Sequence, residues 1–140
     1  MKYVFDLYCK IKEIFNKVNL QYLDPDDGIT FDSHNPTEEY GTIYIDGDYI
    51  QDCFKIKMSI DYSRIEDNKF KFVINHPIIE QFRRNYNAVS TFVDLFKLVA
   101  TEVDNWIKAY NQIISYIEEE YSESNTEFKI ILESLTEVFK

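Results

Sequence analysis

The chain has 140 residues, 45% of them hydrophobic and 16% aromatic, with only three glycines and three prolines, a composition that excludes disordered, collagen-like and mucin-like chains and fits a single domain around one core. Fifteen Lys and Arg stand against 25 Asp and Glu, a formal charge of −10, which repels phosphate backbones and attracts basic surfaces, so direct nucleic-acid binding is not expected. No run approaches the roughly eighteen apolar residues of a membrane span, and Asp6, Lys10, Lys12 and Glu13 interrupt any secretory core, so a cytoplasmic protein is expected.

Val4, Leu7, Tyr8, Ile11, Ile14, Phe15 and Val18 follow helical spacing and predict an amphipathic helix over residues 3–19 that lies on a sheet. Asp24-Pro25-Asp26-Asp27-Gly28 is turn chemistry, and Ile29 to Asp32 is a short strand candidate. Thr42 to Ile45 leads into Asp46-Gly47, which reads as a type I′ hairpin with Asp48 and Tyr49 starting the return strand. Phe54, Ile56, Met58, Ile60 and Tyr62 alternate with Lys55, Lys57, Ser59 and Asp61, the period of a strand with one face in the core and one in water. After a polar loop from Ser63 to Asn68, Phe70, Phe72 and Ile74 alternate again until His76-Pro77, where the strand is expected to stop. Three or four strands joined by short loops make an antiparallel meander.

From Val89 onward Phe92, Phe96, Val99, Val103, Trp106, Tyr110, Ile113 and Ile117 step by three and four in turn, a heptad seam. A helix over 88–121 would be about 50 Å long, against a diameter of about 35 Å for a domain of this size, so it either breaks or projects. Projection calls for a partner for the seam, most simply a second copy through Phe96, Val99, Val103, Trp106, Tyr110, Ile113 and Ile117; the alternative is that the stripe lies across the sheet. Ser124 and Glu127 fit a capping box, and Phe128, Ile131, Leu132, Leu135, Val138 and Phe139 share one face of a last helix over 125–139. The expected fold is therefore α+β over residues 1–140: a helix, a three- to four-stranded antiparallel meander, a long helix and a C-terminal helix. A helix followed by a meander resembles the cystatin-like sheets that wrap a helix, a likeness of shape that carries no site.

No catalytic, metal or cofactor motif is found. Placing Gly28 at the sixth position of a calcium loop puts Leu23 at the first and Pro25 at the third, which supply no ligand side chains. His34 and His76 are the only imidazoles, Cys9 and Cys53 lack CxxC spacing and read as reduced, half-buried thiols, and Gly28, Gly41 and Gly47 lie too far apart for a phosphate loop. Arg83 and Arg84, between Phe82 and Tyr86 and just before the long helix, are a candidate anion site, with surface ion pairing as the alternative.

The acidic excess is even, nine basic against 14 acidic groups in residues 1–76 and six against 11 in 77–140. With 11 tyrosines, a residue type favoured in contact surfaces, it points to a non-catalytic inhibitor of the immunity or anti-defence type. Such a protein would cover a basic partner, such as a nuclease or another nucleic-acid-binding effector, through Asp24, Asp26, Asp27, Asp46, Asp48, Glu118, Glu119 and Glu120. An acidic dimeric chaperone or adaptor, and a protein that sequesters a phosphate-bearing ligand, are the alternatives.

Overall fold

A computed structural model describes residues 4–33, 40–51, 54–66, 69–81, 89–121 and 125–129. The elements are α1 (Val4–Lys17), α2 (Pro25–Gly28), β1 (Ile29–Ser33), β2 (Tyr40–Asp46), β3 (Phe54–Glu66), β4 (Lys69–Gln81), α3 (Val89–Glu120) and β5 (Asn125–Lys129). The fold is α+β: β1 to β4 pair antiparallel in chain order, and β5 adds at the β4 edge in parallel. Alternation decides the faces, with Phe54, Ile56, Met58, Ile60 and Tyr62 of β3 and Phe70, Phe72 and Ile74 of β4 all buried. Helices α1 and α3 cover this face, and Val4, Leu7, Ile11, Ile14 and Phe15 of α1 join the same core cluster.

Four boundaries differ from the expectations. The Asp46-Gly47 hairpin does not form: Asp46 pairs with Lys57, the Gly47 N–H bonds the Ile56 carbonyl at 2.9 Å, and neither Asp46 nor Gly47 has positive φ. A type I′ turn needs positive φ at both central residues. The chain continues instead to an Ile50–Phe54 bridge, with Gln51 at φ 52°. Strand β3 runs past Tyr62 to Glu66, with a register irregularity between Arg64 and Glu66 that leaves Ile65 exposed.

Strand β4 also passes through His76-Pro77 to Gln81. The pairs Lys57–Ile78 and Ser59–Asn75 set Met58 alone opposite His76 and Pro77, a bulge. There the missing proline N–H breaks no regular ladder bond, which is how a proline survives inside a paired strand. Last, residues 125–129 of the expected final helix are strand β5, with Glu127 opposite Val73 rather than capping a helix; its remaining residues, 130–140, and Ser124 lie outside the described residues.

Helix α3 is continuous over 32 residues, about 48 Å, and lies across the sheet. Leu95, Val99, Glu102, Trp106, Ala109, Tyr110, Ile113 and Ile117 are buried, whereas Phe96 is 40% exposed and Val103 only partly covered. At 100° per residue Leu95 falls about 20° from Trp106 around the helix but Phe96 about 80°. A strict heptad drifts by about 20° per repeat on a straight helix, so the seam leaves the core at its N-terminal part.

Candidate functional site

The turn sequence at residues 24–28 closes as a single helical turn because Asp24 caps it, its side chain accepting from the Asp26 N–H at 3.0 Å while its carbonyl accepts from Gly28. This turn is pressed against the end of β2: a Cβ on Gly28 would lie 2.6 Å from the Asp46 carbonyl oxygen, so only glycine fits. The Asp48 N–H bonds the Tyr22 carbonyl and ties the same two segments together. Asp24, Asp26, Asp27, Asp46 and Asp48 are thus gathered at one end of the sheet, all exposed except the half-buried Asp46, with Tyr49 41% exposed beside them.

Glu118, Glu119 and Glu120 are also exposed, but at the opposite end. Tyr121, the next residue, packs its ring on Phe70 and Phe72 near the start of β4, with centroids 5.9 and 5.3 Å away. Asp46 belongs to the row of Lys57 and Ile78, near the far end of that strand. Six residues of strand separate Phe72 from Ile78, about 20 Å, so the eight carboxylates make two patches rather than one. Glu119 and Glu120 border an open groove of about 460 Å³ between α1 and α3, with Lys10 and Lys17 on its other wall. Glu13 lies between those lysines, and its carboxyl is held below the ordinary range chiefly by the 3.0 Å hydrogen bond from Lys17, with Lys10 adding to the effect.

Within the proposed dimer seam, Val99, Trp106, Tyr110, Ile113 and Ile117 are buried in the chain's own core, which leaves Phe96 and part of Val103 on the surface. Trp106 meets Phe15 of α1 edge to face at 5.2 Å. Arg83 and Arg84, together with His34 and Cys53, lie outside the described residues. Cys9, expected to be half-buried, is exposed, as its place on the outer side of α1 requires. No group of three or more His, Cys, Asp or Glu among the described residues is placed to hold a metal, and none of the described helices is long and apolar enough to cross a membrane.

Two features escape the sequence reading. Glu102 is 3% exposed and accepts from the Gln21 and Tyr22 backbone N–H groups at 3.3 and 3.0 Å, so α3 holds the link between α1 and α2 through a buried carboxylate. Asn105 adds a bond to the Asn19 carbonyl at 2.9 Å. A straight-helix phase counted from Trp106 would have found Glu102, about 40° from it and inside the buried stripe. The second feature is the outward face of the sheet, where Asp61 accepts from Thr42 at 2.7 Å and Asn75 donates to Ser59 at 2.8 Å and to Asp61 at 3.4 Å. These groups sit on three different strands, and their partnership follows from register, which is not visible in any one of them.

Comparison of the chain with protein-family models, curated proteins and solved structures finds no match.

Burial pushes the Tyr121 hydroxyl well above its ordinary value of 10.0, helped by Tyr116, Asp6 and Glu120 nearby, and burial also raises Tyr110. Above about pH 10 unfolded tyrosines lose protons that these two keep, so the native state binds more protons than the unfolded one and stability falls as pH rises. Each such tyrosine is expected to contribute a slope of up to about 1.4 kcal/mol per pH unit. Urea midpoints measured either side of that pH should fall less steeply in Tyr121→Phe; an unchanged slope would show that Tyr121 titrates normally.

Proposed function

We propose that the chain is a non-catalytic, acidic protein-binding inhibitor that covers a basic, nucleic-acid-binding surface of a partner enzyme. The observation that carries this reading is the convergence of Asp24, Asp26, Asp27, Asp46 and Asp48 from two segments onto one end of the sheet, next to Tyr49. Concentrated charge of one sign steers encounter with an oppositely charged surface, and a tyrosine at its rim adds contact area at little entropic cost. The reading goes with a reducing, cytoplasmic compartment, in which an exposed thiol such as Cys9 persists.

The test begins with capture from host lysate at low and high salt, followed by association rates with the partner so identified. Reversing Asp26, Asp27 and Asp48 to lysine leaves the Asp24 cap in place and should slow association by about tenfold at low salt while flattening its salt dependence. The same reversal at Glu118, Glu119 and Glu120 reports on the other patch. An acidic partner, or rates unchanged in both triple variants, would overturn the proposal.

A further inference from the structure

The outward face of the sheet carries a concavity of about 430 Å³ that takes no part in the acidic patch reading beyond sharing Asp46 at its rim. Its volume lies within the range of small-molecule sites. Register builds it: Tyr44, Ser59 and Asn75 form one row across β2, β3 and β4, and Lys57 and Ile78 form the next row on the far side of the bulge. The bulge is what opens it, since inserting one extra residue in β4 bends the strand.

The polar atoms there are aimed by their own partners. Asn75 Nδ2 donates to Ser59 Oγ at 2.8 Å, so the Ser59 hydroxyl hydrogen is left to donate outward. His76 borders the concavity through its backbone side only, since its ring meets Tyr110 of α3 edge to face at 4.9 Å on the helix-covered side of the sheet. Lys55 and Lys57 are alternate residues of β3, about 7 Å apart on one face. The Lys57 ammonium is 3.2 Å from Glu80, and the Lys55 ammonium is 5.4 Å above the Tyr49 ring, a contact that leaves its hydrogens available. Of the three carboxylates that could oppose an anion, Glu80 is engaged by Lys57 and Asp61 by Thr42 and Asn75, while Asp46 stands at the rim across the strand pair from Lys57. Ile78 supplies an apolar floor, and the Tyr44 ring, 40% exposed, an aromatic wall.

We propose that this concavity binds a small molecule made of a planar body and one oxyanion, a phosphate or a carboxylate. The planar body lies against Tyr44 over Ile78, and the oxyanion takes charge-assisted hydrogen bonds from Lys55 and Lys57 and a third from Ser59. The site adjoins the protein-binding surface proposed above, sharing Asp46, but the inference stands without that reading.

The experiment is a titration of the full-length, isotope-labelled chain followed by amide NMR, with phenyl phosphate and benzoate as probes and phenol as the uncharged comparator. The expected result is saturable movement of the Ser59 and His76 amides and of the Asn75 side-chain amide below about 10 mM probe, weaker with phenol. Whichever of the two anions binds more tightly identifies the oxyanion. Lys57→Gln and Lys55→Gln should each weaken binding by about tenfold, while Lys17→Gln, in the groove between α1 and α3, should not change it. Peaks remote from the sheet face report whether each variant keeps its fold. Absence of saturable movement with both anions, equal binding of phenol, or unaltered affinity in both β3 variants would overturn the assignment.

Discussion

Trp106→Ala is expected to cost about 3 to 5 kcal/mol, the range for truncating a large aromatic side chain in a packed core. Trp106 has no exposed surface and stands where three parts of the chain meet. Its ring contacts Phe15 of α1, and a Cβ on Gly47 would approach its Cζ2 atom to 3.2 Å, so the loop after β2 is moulded on it. Truncation would open a void between helix layer and sheet that rigid neighbours cannot fill. The indole Nε1 has no hydrogen-bond partner among the described residues, so Trp106→Phe removes a buried orphan donor along with the volume and should cost distinctly less than alanine. Urea unfolding followed by circular dichroism measures both. A loss below about 1 kcal/mol in Trp106→Ala would show that α3 does not rest on the sheet through this residue.

The second large effect is expected at Glu102. Glu102→Ala leaves the Gln21 and Tyr22 N–H groups without their acceptor in a largely covered position, and hydrogen bonds to a charged group contribute about 1.5 to 3 kcal/mol. Water reaching the Gln21 side would offset part of this, so a loss of about 2 to 4 kcal/mol is expected. Glu102→Gln keeps one acceptor oxygen and turns an amide N–H₂ toward the other donor, so it should fall between wild type and alanine. Equal stability of all three would show that the 18–24 link is held without α3. Because Asp48 bonds Tyr22, loosening this link should also disturb the acidic end of the sheet, which makes the proposed partner's association rate a second readout.

Strand alternation from Phe54 to Tyr62 and from Phe70 to Ile74 was legible because one face is buried and the other is wet, and this marks the sequence with a period of two. Helices α1 and α3 were legible for the corresponding reason. What escaped depends on contacts between distant segments. The bulge at His76-Pro77 is defined by the β3 residue opposite it, so the proline alone reads as a stop. Asp46-Gly47 has the composition of a tight turn, but its backbone is claimed by Ile56 and Tyr22 instead. The apolar period of Phe128 and its successors suits a helix, yet residues 125–129 pair with β4, where Phe128 stands opposite Ile74. Of the candidate site, the acidic residues could be picked out by type; their division into two patches could not, since it depends on how β2 and α3 end against the sheet.

The parallel strand at the sheet's edge bears on the order in which the chain assembles. β1 to β4 are consecutive, so each of their ladders closes a short loop, and each can form while little else is in place. β5 reaches β4 only after the whole of α3 has been laid across the core, so its ladder joins the most distant partners in the sheet and is expected to close last. It covers one side of β4 with five residues, whereas β3 holds the other side along nearly its full length. Opening of that edge would uncover the β4 backbone from Lys71 to Asn75 while leaving the four antiparallel strands paired, and amide exchange should therefore be fastest in the sheet along this margin.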